Sequence, residues 1–306
     1  MKSGSCFSLP RPFGALRGSV AAVTSDPTCG NDLRIKRLIN RPASLIRAAF
    51  GRKPNDLTSR QIAWIDVFNR FLKPEIRYAR RMARIARWDR PVEGLSGRLR
   101  AWAHMLVADH GVFRLFYLNK HRVTDRLWRS AQPAPHQIAA LKAEGVRTII
   151  NLRGGREHGS WQLQKEACER LGIHLEEFVV RSRGAPDRAT LLSAKEFFDK
   201  IEYPAVLHCK SGADRAGFVA TLYLVVYEGK SIDEAQRQLS LRFGHFRFSK
   251  TGILDEFFDL YRREGEAKGI PFLTWIETQY DAEALERNFR PSFWSSLLVD
   301  RIMRRE

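Results

Sequence analysis

From residue 125 onward, short β-branched or apolar runs alternate with longer segments of helical spacing, and that alternation restricts the fold more than any other feature. The runs "VRTIINL" (146–152), "IHLEEFVV" (173–180) and "PAVLHC" (204–209) read as strands, and "RLWRSAQP" reads as an edge strand. Between them, "APHQIAALKAEG", closed by Gly145, "SWQLQKEACERLG" (160–172), "RATLLSAKEFFDKI" and the run 216–228 read as helices. A further helix starts in "SIDEAQRQL", where Ser231 and Glu234 have the spacing of a capping box. Strands that each return through a helix pair in parallel, so the expected fold class is α/β, a central and mostly parallel sheet flanked by helices. The 306 residues are 44% hydrophobic, enough for a proper core.

Upstream the pattern changes. Residues 1–55 are irregular and basic and read as a disordered leader rather than a targeting peptide, because they lack a continuous apolar stretch. Residues 56–120 read as a helical, basic N-terminal extension, interrupted or restarted at Pro74 and broken again at Gly111. Its most apolar part, 96–118, is expected to dock on the following domain, with a membrane interface as the alternative. The alternating domain is placed at 121–270, and a C-terminal helical tail at 271–306, with Trp294, Leu297, Leu298 and Ile302 at helical spacing.

Charge separates these parts. The formal net charge is +18, but residues 1–120 hold 23 Lys and Arg against 8 Asp and Glu, whereas the remainder holds 29 against 26. The surplus therefore belongs to the extension and favours polyanions. An anionic membrane surface is the preferred partner. Nucleic acid rests on charge alone, since no nucleic-acid-binding motif is present. The longest apolar run, 216–227, is too short to cross a bilayer. Four cysteines without metal-ligand spacing suggest free thiols in a reducing, cytoplasmic setting, with peripheral membrane contact allowed.

The chemistry concentrates in "HCKSGADRAG" (208–217), between a strand and a helix. A glycine-containing turn into a helix N-terminus points successive backbone N–H groups at one spot and makes an anion nest. Arg215 can add a planar fork to two phosphate oxygens. Cys209 stands at the mouth of the nest, where the helix dipole, the N–H groups and the arginine favour the thiolate. His208, Lys210, Ser211, Gly212, Ala213, Asp214 and Arg215 together form the expected phosphate cradle. Arg153, in "NLRGGREH", and Lys250, in "FGHFRFSKTG", are rim candidates; for Arg153 an ordinary surface arginine is an equal reading, and for Lys250, His245 and Arg247 a solvated basic residue is the plainer one.

This segment resembles the HC-x5-R signature of the cysteine-dependent tyrosine and dual-specificity phosphatases, and the likeness extends over about 125–265, where "RLWRSAQP" and "RTIINLRG" look like the opening strands of bacterial and atypical members. The resemblance implies a tyrosine-phosphatase-like fold and metal-independent, cofactor-free hydrolysis of a phosphomonoester. Cys209 would attack phosphorus to give a phosphocysteine, Arg215 would hold the equatorial oxygens, and His208 would orient the loop and tune the thiol. The general acid stays open between Asp214 within the loop, slightly preferred, and Asp187 in "RSRGAPDRAT". Where the family usually has a serine or threonine after the arginine, this chain has Ala216, with Ser211 or Thr221 as substitutes. Substrates implied are a phosphorylated protein or a phosphorylated membrane lipid. The alternatives are a catalytically weak phosphate-binding module with a basic tethering arm, and a rhodanese-like sulfurtransferase.

Overall fold

The computed structural model describes residues 74–291. The leader at 1–55, the first part of the helical extension and the tail helix with Trp294 lie outside the described residues. The described residues from Arg80 on form one compact unit. The described part of the chain opens with helices α1 (Pro74–Trp88) and α2 (Gly94–Ala103), a π-helical turn (His104–Ala108) and the short α3 (Val112–Phe116). The alternating part follows as β1 (His121–Arg122), β2 (Leu127–Ala131), α4 (Pro135–Ala143), β3 (Thr148–Asn151), α5 (Gly159–Leu171), β4 (His174–Glu177), α6 (Arg188–Lys200), β5 (Ala205–Cys209) and α7 (Asp214–Val226). It closes with α8 (Ile232–Ala235), α9 (Ile253–Glu264), α10 (Phe272–Thr278) and α11 (Ala282–Asn288).

The sheet order is β1-β2-β5-β3-β4. Strands β2, β5, β3 and β4 run parallel, and β1 pairs antiparallel with β2. "RLWRSAQP" is therefore not an edge strand: β1 covers its outer side through His121 and Arg122. A two-residue strand carries no period in the sequence, which is why the pattern missed it.

Both faces of the sheet are covered, so its central strands are buried along nearly their whole length rather than on alternate residues. Ile149 and Val206 pack on one face with Ile138, Leu141, Ala167 and Cys168 from α4 and α5. Ile150 and Leu207 pack on the other with Phe198, Phe218, Leu222 and Phe257. Burial pushes the Cys168 thiol up to about 12, as befits a core residue.

The segment 94–116 docks on this domain. Ala101 and Met105 are buried with Trp88, Ala134 and Leu163 in a third cluster. The approach is close enough that a Cβ on Gly159 would sit 2.7 Å from the Ala101 carbonyl oxygen. The break expected at Gly111 falls between the π-helical turn and α3. Among the described residues no helix is long and apolar enough to cross a membrane.

Candidate active site

Strand β5 ends at Cys209 in the middle of the sheet, paired with Ala131 on one side, while its neighbour His208 pairs with Asn151 on the other. The loop 210–213 then leads into α7, whose first two residues are Asp214 and Arg215. Gly212 has φ +75°, and a Cβ there would lie 2.7 Å from the backbone of β2, so both its torsion and its surroundings require glycine.

An anion nest needs the N–H edges of its peptides on the concave side and the carbonyls turned outward, where each must find a donor. Two buried side chains supply those donors from behind. Asn119 Nδ2 donates to the Ser211 carbonyl at 3.0 Å. Arg129 Nη2 donates to the Gly212 and Ala213 carbonyls, both at 2.8 Å, and Arg129 Nη1 donates to Gln238 Oε1. Arg129 is fully buried over the Phe243 ring, and that burial, against the opposing charges of Cys209 and Asp214, brings its guanidinium down to about 10. Three consecutive loop carbonyls are thus held outward.

A second buried network runs along the opposite flank. His208 Nε2 lies 2.7 Å from Gln164 Nε2, which can only donate, so the ring nitrogen accepts and the ring is neutral. Burial first, and the Arg153 charge next, bring His208 down to about 3. Gln164 Oε1 accepts from Gln132 Nε2 at 2.8 Å, and Gln132 Oε1 accepts from Arg153. Arg153 in turn makes a two-pronged ion pair with Asp109, at 2.9 and 2.7 Å. Asp109 also accepts from Arg114 and Ser160, each at 2.8 Å. Burial would raise the Asp109 carboxyl, but the bonds and charges of Arg153 and Arg114 outweigh it and hold the group far below the usual carboxylate range. Arg114 lies near enough for the charge of Cys209 to act on it.

The remaining candidates are placed as follows. Asp214 is buried, and its Oδ1 lies 2.7 Å from His245 Nδ1; the other ring nitrogen lies 2.5 Å from Asp255 Oδ2. His245 was read as solvated; it is 1% exposed. Burial opposes its charge, but the bonds to Asp214 and Asp255 prevail and raise it to about 9, so it is an imidazolium at neutral pH. Asp187 caps α6, accepting from Thr190 N at 2.9 Å and Thr190 Oγ1 at 3.1 Å. The groove it lines, with Phe178, Pro186, Leu191 and Leu222, contains no residue of the 208–215 loop. Arg153 comes to the site but as a buried ion-paired side chain, 8% exposed, rather than a solvated one. Lys250 is exposed on a 3-10 turn (Lys250–Gly252) ahead of α9. Lys210, Ser211 and Arg215 are half-buried, whereas Gly212 and Ala213 are buried. Thr221 Oγ1 donates within its own neighbourhood, to Gly217 O at 2.9 Å or Ala235 O at 3.1 Å, so it is not a substitute for the hydroxyl missing at Ala216. Among the described residues no group of His, Cys, Asp and Glu could hold a metal ion.

Sequence reasoning missed Asp109, Arg114, Asn119, Arg129, Gln132 and Gln164. Only Arg129 and Gln132 carried a signal, as polar residues inside and just after a run read as a strand.

Residues 117–254 match the family described as DSP-PTPase phosphatase fused to NAD+ kinase. The dual specificity protein phosphatase TpbA of Pseudomonas aeruginosa is 25% identical over 126 residues, 39% of this chain and 54% of the relative. Residues 117–254 are thus similar to the dual-specificity-like phosphatases. The chain spans about half the length of the curated relatives it matches. The crystal structure of P. aeruginosa TpbA aligns at 20% identity and a TM-score of 0.38, covering 56% of this chain and 89% of that one. A crystal structure of Tk-PTP aligns at 17% identity and a TM-score of 0.38, covering 47% and 97%. The dual-specificity-like domain begins downstream of Asp109 and Arg114, so two charges of the site's buried network come from outside the matched segment.

Proposed function

We propose that this domain is a phosphatase of the protein-tyrosine and dual-specificity type, hydrolysing phosphomonoesters through a phosphocysteine on Cys209. The observation that carries the reading is the loop whose three carbonyls are fixed outward by Asn119 and Arg129, with Cys209 and Arg215 at its two ends. The Cys209 sulfur attacks phosphorus, the ester P–O bond breaks, and the leaving oxygen takes a proton. Water then attacks phosphorus, the S–P bond breaks, and inorganic phosphate departs. Arg215 and the loop N–H groups bind the non-bridging oxygens in both steps. No metal or cofactor enters this scheme.

Asp214, buried against an imidazolium, serves in this reading to anchor the first turn of α7. Asp187, accessible at the head of α6, is the carboxylate to test as proton donor. Its replacement by asparagine should slow an alkyl phosphate, whose leaving group needs a proton, far more than a nitrophenyl phosphate. The name of the curated relative supports phosphoprotein substrates. A phosphorylated membrane lipid is the other substrate class of this reading, and the cytoplasm its site of action.

The deciding experiment is phosphate release from a small aryl phosphate with chelator present. Wild type should turn over and Cys209→Ser should not; equal rates would end the thiol mechanism. The buried Ala216, with Thr221 engaged elsewhere, favours one second reading, a domain that forms phosphocysteine quickly and breaks it slowly. Rapid mixing would then show a burst equal to the enzyme concentration, and Ala216→Ser should reduce the burst and raise the steady rate.

A further inference from the structure

The segment that supplies Asp109 and Arg114 inwards shows a different chemistry outwards. Val107, Phe113, Phe116 and Tyr117 are 74%, 80%, 87% and 64% exposed, and Val112 is 45% exposed. Large apolar side chains at such exposure, gathered within eleven residues, are more than scattered surface hydrophobics. The exposed charges within the stretch are basic. Between Gly94 and Thr124 the only acidic residue is Asp109, which is 1% exposed and bound by Arg114 and Arg153, whereas Arg98 and Arg100 are exposed; Arg122, also exposed, is paired with Asp125 just beyond the stretch. The outer surface of this stretch is therefore apolar and basic, with no accessible carboxylate.

That pairing restricts the occupant. A second copy of the chain would bring together two surfaces from a region with 23 basic and 8 acidic residues, and like charge opposes the contact. A nucleic acid would neutralise the arginines but gives Val107 and Val112 nothing to pack against. A bilayer with acidic headgroups satisfies both halves, taking aromatic and aliphatic side chains at its interface and arginines at its surface. We propose that residues 107–117, led by Phe113 and Phe116, dock the protein on an anionic lipid bilayer. Docking does not depend on hydrolysis at Cys209.

The test is co-sedimentation of the full chain with vesicles of phosphatidylcholine alone and of phosphatidylcholine containing about a third phosphatidylglycerol, at about 0.15 M salt. Wild type should pellet with the anionic vesicles and not with the neutral ones. Phe113→Ser with Phe116→Ser should weaken that binding about a hundredfold, with melting and aryl phosphate turnover unchanged. Phe113→Trp with Phe116→Trp should restore it. The proposal is overturned if wild type stays in the supernatant, or if the serine variant binds as well as wild type, which would assign binding to the basic residues alone. It is also overturned if the serine variant instead abolishes self-association or capture of an acidic peptide while wild type ignores vesicles.

Discussion

Arg129 shows how one side chain sets the chemistry of a loop it does not belong to. Its guanidinium takes two loop carbonyls that would otherwise be buried without donors, each worth about 1–3 kcal/mol when left unpaired. Arg129→Leu should therefore lower stability by about 3 kcal/mol in denaturant titrations and raise KM for an aryl phosphate, as the loop N–H groups lose their common direction. His245 makes a prediction of opposite character, because it sits between Asp214 and Asp255 as a cation. Its folded value, about 9, is raised above the ordinary 6.5, so its contribution is complete below about 6.5 and is lost as pH rises through 9. By linkage that amounts to about 3 kcal/mol. His208 is the reverse: lowered to about 3, it contributes above 6.5 and loses that contribution as pH falls from 6.5 towards 3. Stability measured by urea midpoint should peak near pH 6.5, where neither contribution has yet been lost, and His245→Asn should lower the peak and flatten the alkaline limb. An unchanged alkaline limb in that variant would show the imidazolium to be irrelevant.

At the scale of elements, the decisive boundary is not where the superfamily match begins. The match starts at 117, yet α2, the π-helical turn and α3 carry Asp109 and Arg114 into the same buried network as His208. Deleting residues 1–73 should leave aryl phosphatase activity in place. Deleting 1–116 removes Asp109 and leaves Arg153 buried without its anion, a loss of about 3–5 kcal/mol for a broken buried pair. Asp109→Ala in the full chain should show a similar loss, with hydrogen exchange rising first in 104–116. If the chain beginning at 117 is as stable and active as the one beginning at 74, the segment is only an appendage. Much of the element pattern was legible beforehand. The strands at 148–151, 174–177 and 205–209 and the helices between them fall inside the expected runs; those at 148–151 and 205–209 are buried along their whole length, as a doubly covered parallel strand should be. The two-residue β1 was not legible, and it moved β2 from the edge to the second place.

At the scale of the whole molecule the charge is divided unevenly. Residues 1–73 hold 13 Lys and Arg against 4 Asp, a net +9, half of the chain's +18. The full chain should elute from a phosphate-bearing resin at markedly higher salt than a chain beginning at Pro74, with retention falling steeply as salt rises. Equal elution would place the polyanion affinity in the domain itself. Aryl phosphate turnover should be indifferent to the deletion, since the loop's carbonyl supports, the buried network at His208 and the His245 pairs lie within 109–255.

The sequence by itself determined what repeats or recurs over a few residues. Short β-branched runs and a period of 3.6 outlined the sheet and its helices, and the spacing of Cys209, the glycines and Arg215 outlined the anion loop, because each is a local pattern of residue types. The tertiary structure alone decided what holds that loop. Asn119 reaches Ser211 across 92 positions, Arg129 reaches Gly212 across 83, Arg153 meets Asp109 across 44 and His245 meets Asp214 across 31. A polar residue looks the same in a sequence whether water or a buried partner satisfies it. The partner is chosen by where the chain passes, and only folding brings those positions together.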